Sequence, residues 1–206
     1  MGLPVLASAD SLVIRQREEM TEVFTNIETS NQYTVSLPSG ATLFHVAEQS
    51  GGAMAFLTRN FLGSKRPFDM TVLAAGGGAG LHLRRPWRWL FSSLEVADTN
   101  GQPLGTIQQR FSMLSKRFSV LDANGAEIAQ LHGPLLRPWT FRVMVRGQEV
   151  GKITKEWSGL LREAFTDADT FGVQYGPSMG EPLRSLALAA TFLIDFLYFE
   201  ENSSRD

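Results

Sequence analysis

The 206-residue sequence predicts a mainly β fold of antiparallel hairpins with one hydrophobic helix near the C-terminus. Two observations support this fold class. Short runs rich in Val, Ile, Phe, Thr and Leu are joined by glycine-containing turns, and the most hydrophobic run, residues 185–200, follows the last of them. Strand-like runs do not alternate with helix-length segments, so the βαβ pattern of a nucleotide-binding sheet is absent.

Turn residues between the apolar runs locate the hairpins. Asn-Gly between apolar runs is the strongest short-range hairpin signal and predicts a type I′ turn, with positive φ at both central residues. Three consecutive glycines, 76–78, lack the G-x-G-x-x-G spacing of a phosphate loop and predict another hairpin tip. The four apolar runs and their turns are 33–37 before Ser39-Gly40, 94–97 before Asn100-Gly101, 118–121 before Asn124-Gly125, and 141–145 before Gly147.

Two segments have helical patterns. In residues 11–24, Leu12, Met20, Val23 and Phe24 can share one face, which predicts a short amphipathic N-terminal helix. Residues 183–199 are apolar on nearly all sides, so this second helix must be surrounded by lipid or by protein. Its apolar stretch is about 21 Å long, against about 30 Å for a bilayer core. Because Asp195 also lies within it, burial in a protein core is favoured over a membrane span.

Composition limits the function classes. The formal net charge of −2 argues against a globally basic nucleic-acid binder, so no nucleic-acid partner is expected. The chain has 0 cysteines, which excludes disulfides, thiolate metal sites and S-palmitoylation. The N-terminal residues show neither an export signal nor a myristoylation signal. We therefore expect a protein that is not secreted and lies at the cytoplasmic face of a membrane, bound peripherally or, if the C-terminal helix inserts, anchored through that helix.

Six motifs follow one another along nearly the whole chain: FTNIETSNQYTV (24–35), TRNFLGSKRPFDMTVL (58–73), LRRPW (83–87), GTIQQRFS (105–112), GKITKEWSGLLREAFTDADTFGVQYG (151–176) and ATFLIDFLYFE (190–200). In this order they resemble the phospholipid scramblase family. The resemblance implies a tubby-like barrel of about twelve antiparallel strands around the buried C-terminal helix. It also implies an N-terminal extension at 1–26, a scramblase domain at 27–201 with its helix at 183–200, and a tail at 202–206.

The resemblance implies ATP-independent movement or binding of phospholipids at a membrane. The alternative is a tubby-like module that binds anionic phospholipids or a protein partner without transporting lipid. Because it lacks cysteines and a proline-rich N-terminal extension, the chain resembles a minimal, bacterial type of family member. The oligomeric state is left open by the sequence.

The resemblance also suggests a calcium site in the acidic segment 167–178, where Asp167 and Asp169 are the candidate ligands. An EF-hand loop needs oxygen ligands at its first, third and fifth positions and a glutamate at its twelfth, but here the fifth and twelfth are Phe171 and Ser178. Any calcium binding is therefore expected to be weak, with a dissociation constant of about 10⁻⁴–10⁻³ M. The alternative is a solvent-facing turn that leads into a strand.

Arginine and tryptophan cluster twice in the sequence. Residues 83–91 read LRRPWRWLF, and residues 135–139 read LLRPW. Arginine pairs with phosphate and tryptophan favours the headgroup layer, so these segments suit an anionic membrane surface. The alternative is that the tryptophans close the ends of the barrel and the arginines are solvated. The candidate lipid contacts are Arg84, Arg85, Trp87, Arg88, Trp89, Arg137 and Trp139.

Enzyme chemistry is not expected. Residues 176–180, GPSMG, match the G-x-S-x-G pattern of a nucleophile elbow, but that motif needs a histidine later in the chain. His45, His82 and His132 all precede Ser178 and lack metal-ligand spacing. We interpret the segment as the connection into the C-terminal helix.

Overall fold

Twelve antiparallel strands pair in sequence order, and the first also pairs with the last, so the sheet closes into a barrel. The computed structural model describes residues 2–17, 29–49, 66–78, 80–137, 139–155 and 170–199. The strands are β1 (Ser11–Arg17), β2 (Thr29–Ser36), β3 (Thr42–Gln49), β4 (Phe68–Ala74), β5 (Leu81–Arg85), β6 (Ser93–Asp98), β7 (Pro103–Arg110), β8 (Ser115–Asp122), β9 (Glu127–Pro134), β10 (Thr140–Val145), β11 (Gln148–Thr154) and β12 (Thr170–Tyr175). A 3-10 helix, Pro4–Ser8, precedes them, and the α-helix α1, Leu183–Tyr198, follows them.

The helix α1 lies in the core of the barrel, as the sequence predicted. Leu186, Leu193 and Ile194 are fully buried, and Phe192 makes an edge contact with Tyr33, with ring centroids 5.1 Å apart. The barrel therefore closes around the most hydrophobic part of the chain, which confirms the predicted tubby-like arrangement. No helix in the described part of the chain is both long and apolar enough to span a membrane.

The N-terminal helix predicted over residues 11–24 is wrong where it can be checked. Residues Ser11–Arg17 form β1, which pairs with both β2 and β12 and closes the barrel. Leu12, Val13 and Ile14 are all buried, and two of them are β-branched residues that favour strands. The rest of the predicted helix lies outside the described residues. The barrel thus includes part of the predicted N-terminal extension.

The predicted hairpins are present, but the Asn-Gly turns differ from the predicted type. Gly101 and Gly125 have φ of 78° and 82°, while Arg146 is the only described non-glycine residue with positive φ. Each Asn-Gly loop is therefore a turn followed by a single left-handed glycine, with a β-bulge at the strand end. The aspartates that precede these loops, Asp98 and Asp122, accept backbone N–H bonds that fix this geometry.

The barrel has two different ends. We call the end that carries the β5–β6, β7–β8 and β9–β10 connections the loop end, and the end with the β6–β7, β8–β9 and β10–β11 hairpins the turn end. The 3-10 helix closes the turn end. There the buried guanidinium of Arg184 donates hydrogen bonds to the carbonyls of Leu6 and Ala9, at 2.7 and 2.6 Å. The helix α1 runs from this end toward the loop end.

Candidate functional site

Exposed apolar side chains are concentrated at the loop end. They lie in three neighbouring connections, and we call them the apolar rim. In the described part of the chain, Val5 at the turn end is the only other large hydrophobic side chain that is similarly exposed. Apolar groups clustered in this way mark a surface that another phase or molecule covers. The rim comprises Trp87, Trp89, Leu90, Phe91, Phe111, Met113, Leu114, Leu135, Leu136 and Trp139.

The β5–β6 connection contains the first predicted Arg-Trp cluster. The rings of Trp87 and Trp89 contact edge to face, with centroids 4.9 Å apart. Leu90 is 84% exposed beside them. The Nε–H of Arg88 donates to Ser93 Oγ at 2.8 Å, which holds this exposed arginine at the base of the loop. The structure therefore brings an aromatic pair, an aliphatic tip and a cation together.

The β9–β10 connection contains the second predicted cluster. Leu136 is 97% exposed at its tip, next to the exposed Arg137. Trp139 differs, because its ring stacks on Phe199 at a centroid distance of 5.0 Å and an angle of 18°. This tryptophan is anchored to the end of α1 on one face and exposed on the other. It fits the barrel-closing role that the sequence left open as an alternative.

The third part of the rim, in the β7–β8 connection, is not predicted from the sequence. Phe111, Met113 and Leu114 project from the β7–β8 connection, and both Met113 and Leu114 are 82% exposed. The hydroxyls of Ser112 and Ser115 lie 2.9 Å apart across the base of the loop. The sequence feature that could have indicated this part of the rim is the largely apolar run FSML (111–114), which lies in a hairpin connection without glycine.

The arginine pair at the end of β5 is split between the two faces of the barrel. Alternation along β5 places Arg84 outside, opposite Asp69 and Glu95 in the neighbouring strands. Arg85 is only 3% exposed and lies 4.7 Å from the ring centroid of Phe196. Arg85 therefore belongs to the interior, and it is separated from the other candidate lipid contacts.

Arg85 is held by specific hydrogen bonds inside the barrel. Its Nη1 donates to the Arg66 carbonyl at 2.9 Å and its Nη2 to Ser92 Oγ at 2.7 Å. Arg66 in turn pairs with the buried carboxylate of Glu48, and its guanidinium lies 4.4 Å from the ring centroid of Phe196. Two arginines thus close the loop end of the core against one aromatic ring.

Two lysines complete this closure around the end of α1. Lys116 Nζ lies 3.8 Å from the ring centroid of Tyr198, and burial lowers the pKa of this lysine. Lys155 Nζ lies 4.7 Å from the ring centroid of Phe199 and 3.8 Å from Asp195 Oδ1. Cations are favourable at a helix C-terminus, where the unpaired carbonyls carry partial negative charge. Neither lysine is predicted from the sequence as a functional residue.

The candidate calcium ligands Asp167 and Asp169 lie outside the described residues. Calcium binding therefore stays a prediction. Across residues 2–17, 29–49, 66–78, 80–137, 139–155 and 170–199, no three His, Cys, Asp or Glu side chains are grouped closely enough to hold a metal ion.

Ser178 lies in an exposed turn between β12 and α1, as expected for a connecting segment. The three histidines lie on separate strands, with His45 on β3, His82 on β5 and His132 on β9.

A closed twelve-stranded antiparallel barrel around a hydrophobic C-terminal helix defines a tubby-like fold. The chain matches the Scramblase family over residues 1–201, and it belongs to that family.

Three relatives illustrate this similarity. Human phospholipid scramblase 1 is 30% identical over 219 residues, which cover 100% of this chain and 68% of that protein. Mouse phospholipid scramblase 1 is 31% identical over 100% of this chain and 66% of that protein. Bovine phospholipid scramblase 2 is 31% identical, over 97% of this chain and 71% of that protein. This chain therefore spans about two thirds of the length of these relatives. No solved structure matches it significantly.

Proposed function

We propose that this protein docks on an anionic phospholipid membrane through the loop end of its barrel and acts there as a phospholipid scramblase, moving phospholipids between leaflets without ATP. The observation that carries the proposal is the apolar rim, in which ten exposed side chains share one end of the barrel. The names of its relatives, phospholipid scramblases 1 and 2, support the lipid substrate.

The rim has the chemistry of an interfacial anchor. Leu90, Leu114 and Leu136 are each more than four-fifths exposed. Moving one such side chain out of water contributes about 2 kcal/mol. Trp87 and Trp89 suit the headgroup layer, where an apolar ring can be buried while its N–H stays hydrated. Several shallow insertions of this kind are enough for reversible membrane binding.

Arginines beside the rim favour an anionic surface. Arg88 and Arg137 are exposed within the loops that carry the rim, and Arg84 lies on the outer wall directly below. Each basic side chain near an anionic membrane contributes about 1 kcal/mol. Arg85, by contrast, contributes to the interior of the barrel and is not proposed as a lipid contact.

The position of α1 constrains how lipid can be moved. At 16 residues the helix is about 24 Å long, shorter than a bilayer core of about 30 Å, and it is enclosed by the barrel. We therefore propose that the rim acts as a wedge that disturbs the packing of one leaflet, so that headgroups cross the locally disordered bilayer. The enclosure of α1 equally favours the second candidate function, a lipid-binding module without transport.

Vesicle flotation with matched variants tests the docking step. Trp89→Ser/Leu136→Ser removes two exposed rim groups, and Val5→Ser removes an exposed apolar group at the opposite end of the barrel. We expect the double variant to lose most of its vesicle binding and Val5→Ser to bind like the wild type. Equal binding by all three proteins would remove the rim from the proposal.

A fluorescent-lipid quenching assay on the same vesicles separates the two candidate functions. A scramblase exposes inner-leaflet probe to a membrane-impermeant quencher without ATP, and the rim double variant should not. A protein that floats but leaves the inner-leaflet probe protected is a binding module.

The same proposal includes a weak calcium dependence through Asp167 and Asp169 and a location at the cytoplasmic face of the membrane. Flotation in calcium and in chelator, repeated with Asp167→Asn/Asp169→Asn, tests the first point. A calcium effect that persists in the double variant would place the calcium ligands elsewhere.

A further inference from the structure

A continuous row of basic residues crosses the outer wall of the barrel. Strand register places Arg110 of β7 directly opposite Arg117 of β8, and Arg117 opposite His132 of β9. His132 is in turn opposite Arg142 of β10, and Arg142 is opposite Lys152 of β11. We call these five residues the cationic row.

The five side chains share the outer face, because directly opposite residues in an antiparallel sheet point to the same side. With neighbouring strands about 4.8 Å apart, the row is about 19 Å long. Arg110, Arg117 and Arg142 are exposed, and His132 and Lys152 are partly exposed. Like charges directly opposite one another destabilise a sheet. A ligand of opposite charge would relieve this repulsion.

The contacts of the row leave most of its donor groups available. Arg110 and Arg117 each donate through Nε, to Ser119 Oγ at 2.8 Å and to Ser115 Oγ at 3.1 Å. In the part of the chain that the structure describes, the row makes a single ion pair, between Arg142 Nε and Glu149 Oε2 at 3.5 Å. Among the described residues, neither Arg110 nor Arg117 forms an ion pair within 4 Å, although the carboxylate of Glu127 interacts electrostatically with Arg110.

The position of the row relates it to the apolar rim. Arg110 immediately precedes Phe111, and Arg117 follows Leu114 by three residues. At about 3.3 Å per residue, Arg110 and Arg117 lie within about 10 Å of the exposed tips of the β7–β8 loop. A barrel whose rim reaches the acyl boundary thus brings the row to the level of the headgroups.

We propose that the cationic row binds the phosphate groups of anionic phospholipids in the membrane on which the rim docks. The inference rests on the proposed docking and extends it to a separate binding site on the barrel wall. Guanidinium groups bind phosphate oxygens through charge-assisted, often bidentate hydrogen bonds. Several headgroups can lie along a row of this length. The adjacent apolar rim favours a membrane over a nucleic acid as the source of phosphate.

The test is flotation of the full chain on phosphatidylcholine vesicles with and without phosphatidylglycerol. Arg110→Gln/Arg117→Gln removes the two charges of the row that lie beside the β7–β8 loop, while keeping side chains that can bond Ser119 and Ser115. At about five-fold per charge, we expect binding to the anionic vesicles to fall roughly 10- to 30-fold. Binding to neutral vesicles, which depends on the rim, should not change.

Two single variants serve as controls. Arg146→Gln removes an exposed cation at the turn end and should leave anionic binding unchanged. Glu149→Gln removes the partner of Arg142 and should strengthen anionic binding by about five-fold. A thermal unfolding curve for each variant shows that the barrel is intact.

The outcomes distinguish this inference from the proposed docking. If Arg110→Gln/Arg117→Gln keeps the wild-type preference for anionic vesicles, the row is not the headgroup site, although docking through the rim stands. If the folded wild type floats on neither kind of vesicle, both the docking proposal and this inference fail.

Displacement by inorganic phosphate, but not by chloride at equal ionic strength, would instead identify a free-phosphate site. Tighter, row-dependent binding of a short oligonucleotide would identify a nucleic-acid site, and either result overturns the lipid assignment.

Discussion

The hydroxyl of Tyr33 donates a 2.9 Å hydrogen bond to Oδ2 of Asp195, so the wall of the barrel is tied to the acidic residue of its central helix. Lys155 Nζ lies 3.8 Å from the other carboxylate oxygen. All three side chains are largely removed from water. An acidic residue within the apolar run argues against a membrane span. In the structure, Asp195 lies in the protein core, where Tyr33 and Lys155 contact its carboxylate.

Asp195→Asn should destabilise the fold by about 2–4 kcal/mol, because it removes a buried carboxylate charge that lies beside the buried ammonium of Lys155. Tyr33→Phe removes only the hydroxyl and should cost about 1 kcal/mol. Urea unfolding measures both free energies. Because the two side chains touch, the double variant should lose less than the sum of the single losses. Strict additivity would show that the observed hydrogen bond carries no coupling energy.

Gly105 should tolerate no side chain, because β7 passes close to both β8 and α1 there. A Cβ at this position would lie 2.1 Å from the carbonyl oxygen of Leu121 and 3.0 Å from Leu186 Cδ1. Gly105→Ala should therefore lower the free energy of unfolding by about 1–3 kcal/mol. Gly76→Ala is the control, since a Cβ there would meet no atom within 4 Å. Equal midpoints for the two variants in thermal unfolding would contradict the close approach.

Two rim residues should differ in their effect on stability. Leu136→Ser changes a side chain that is 97% exposed, so we expect a change within about 0.5 kcal/mol. Trp139→Ser removes the ring stacked on Phe199 and should cost about 1–2 kcal/mol. Denaturant titration compares the two free energies of unfolding. A large loss for Leu136→Ser would mean that the loop tip supports the fold, and would weaken its assignment to membrane contact.

Local sequence signals predicted much of the fold. Glycine-containing turns located hairpins, and the length of the apolar run, together with Asp195, placed α1 in a core. The sequence predicts a helix around Leu12, because the spacing of the apolar residues in this segment fits the helical period as well as the strand period. Closure of the barrel favours the strand, because β1 is the strand that joins β2 to β12.

The candidate site was less predictable, because it depends on face and register. In the sequence, Arg84 and Arg85 look equivalent, yet alternation along β5 places one outside and the other against Phe196. The cationic row joins residues from five strands, and bulges between several strand pairs shift their alignment. No local pattern reveals that Arg110 and Arg142 belong to one row.

Binding to anionic vesicles should strengthen as the pH falls from about 7.5 to about 5.5, through His132. Burial and the neighbouring Arg117 lower the pKa of this histidine. It therefore binds little proton at neutral pH in the free protein. Bound phosphate favours the protonated ring and raises its pKa, so binding is coupled to proton uptake. One added charge should strengthen binding by about five-fold.

The groups that face His132 keep their charge over this range. Arg117 and Arg142 flank it on β8 and β10, and on its own strand Gln130 Oε1 lies 3.1 Å from its Nε2. Hydrogen bonds from Ser119 and Gln130 lower the pKa of Glu127, so this carboxylate stays ionised.

His132→Gln should abolish the pH dependence, whereas His82→Gln, on the outer face of β5, should preserve it. Phosphatidylglycerol vesicles are the appropriate probe, because their phosphodiester stays ionised throughout. The lowered pKa also means that the unfolded chain takes up the proton more readily than the folded one. His132 therefore makes the fold slightly less stable as the pH falls below about 6.5, and circular dichroism at the lower pH must show an intact barrel. An unchanged pH profile in folded His132→Gln would assign the effect to another group.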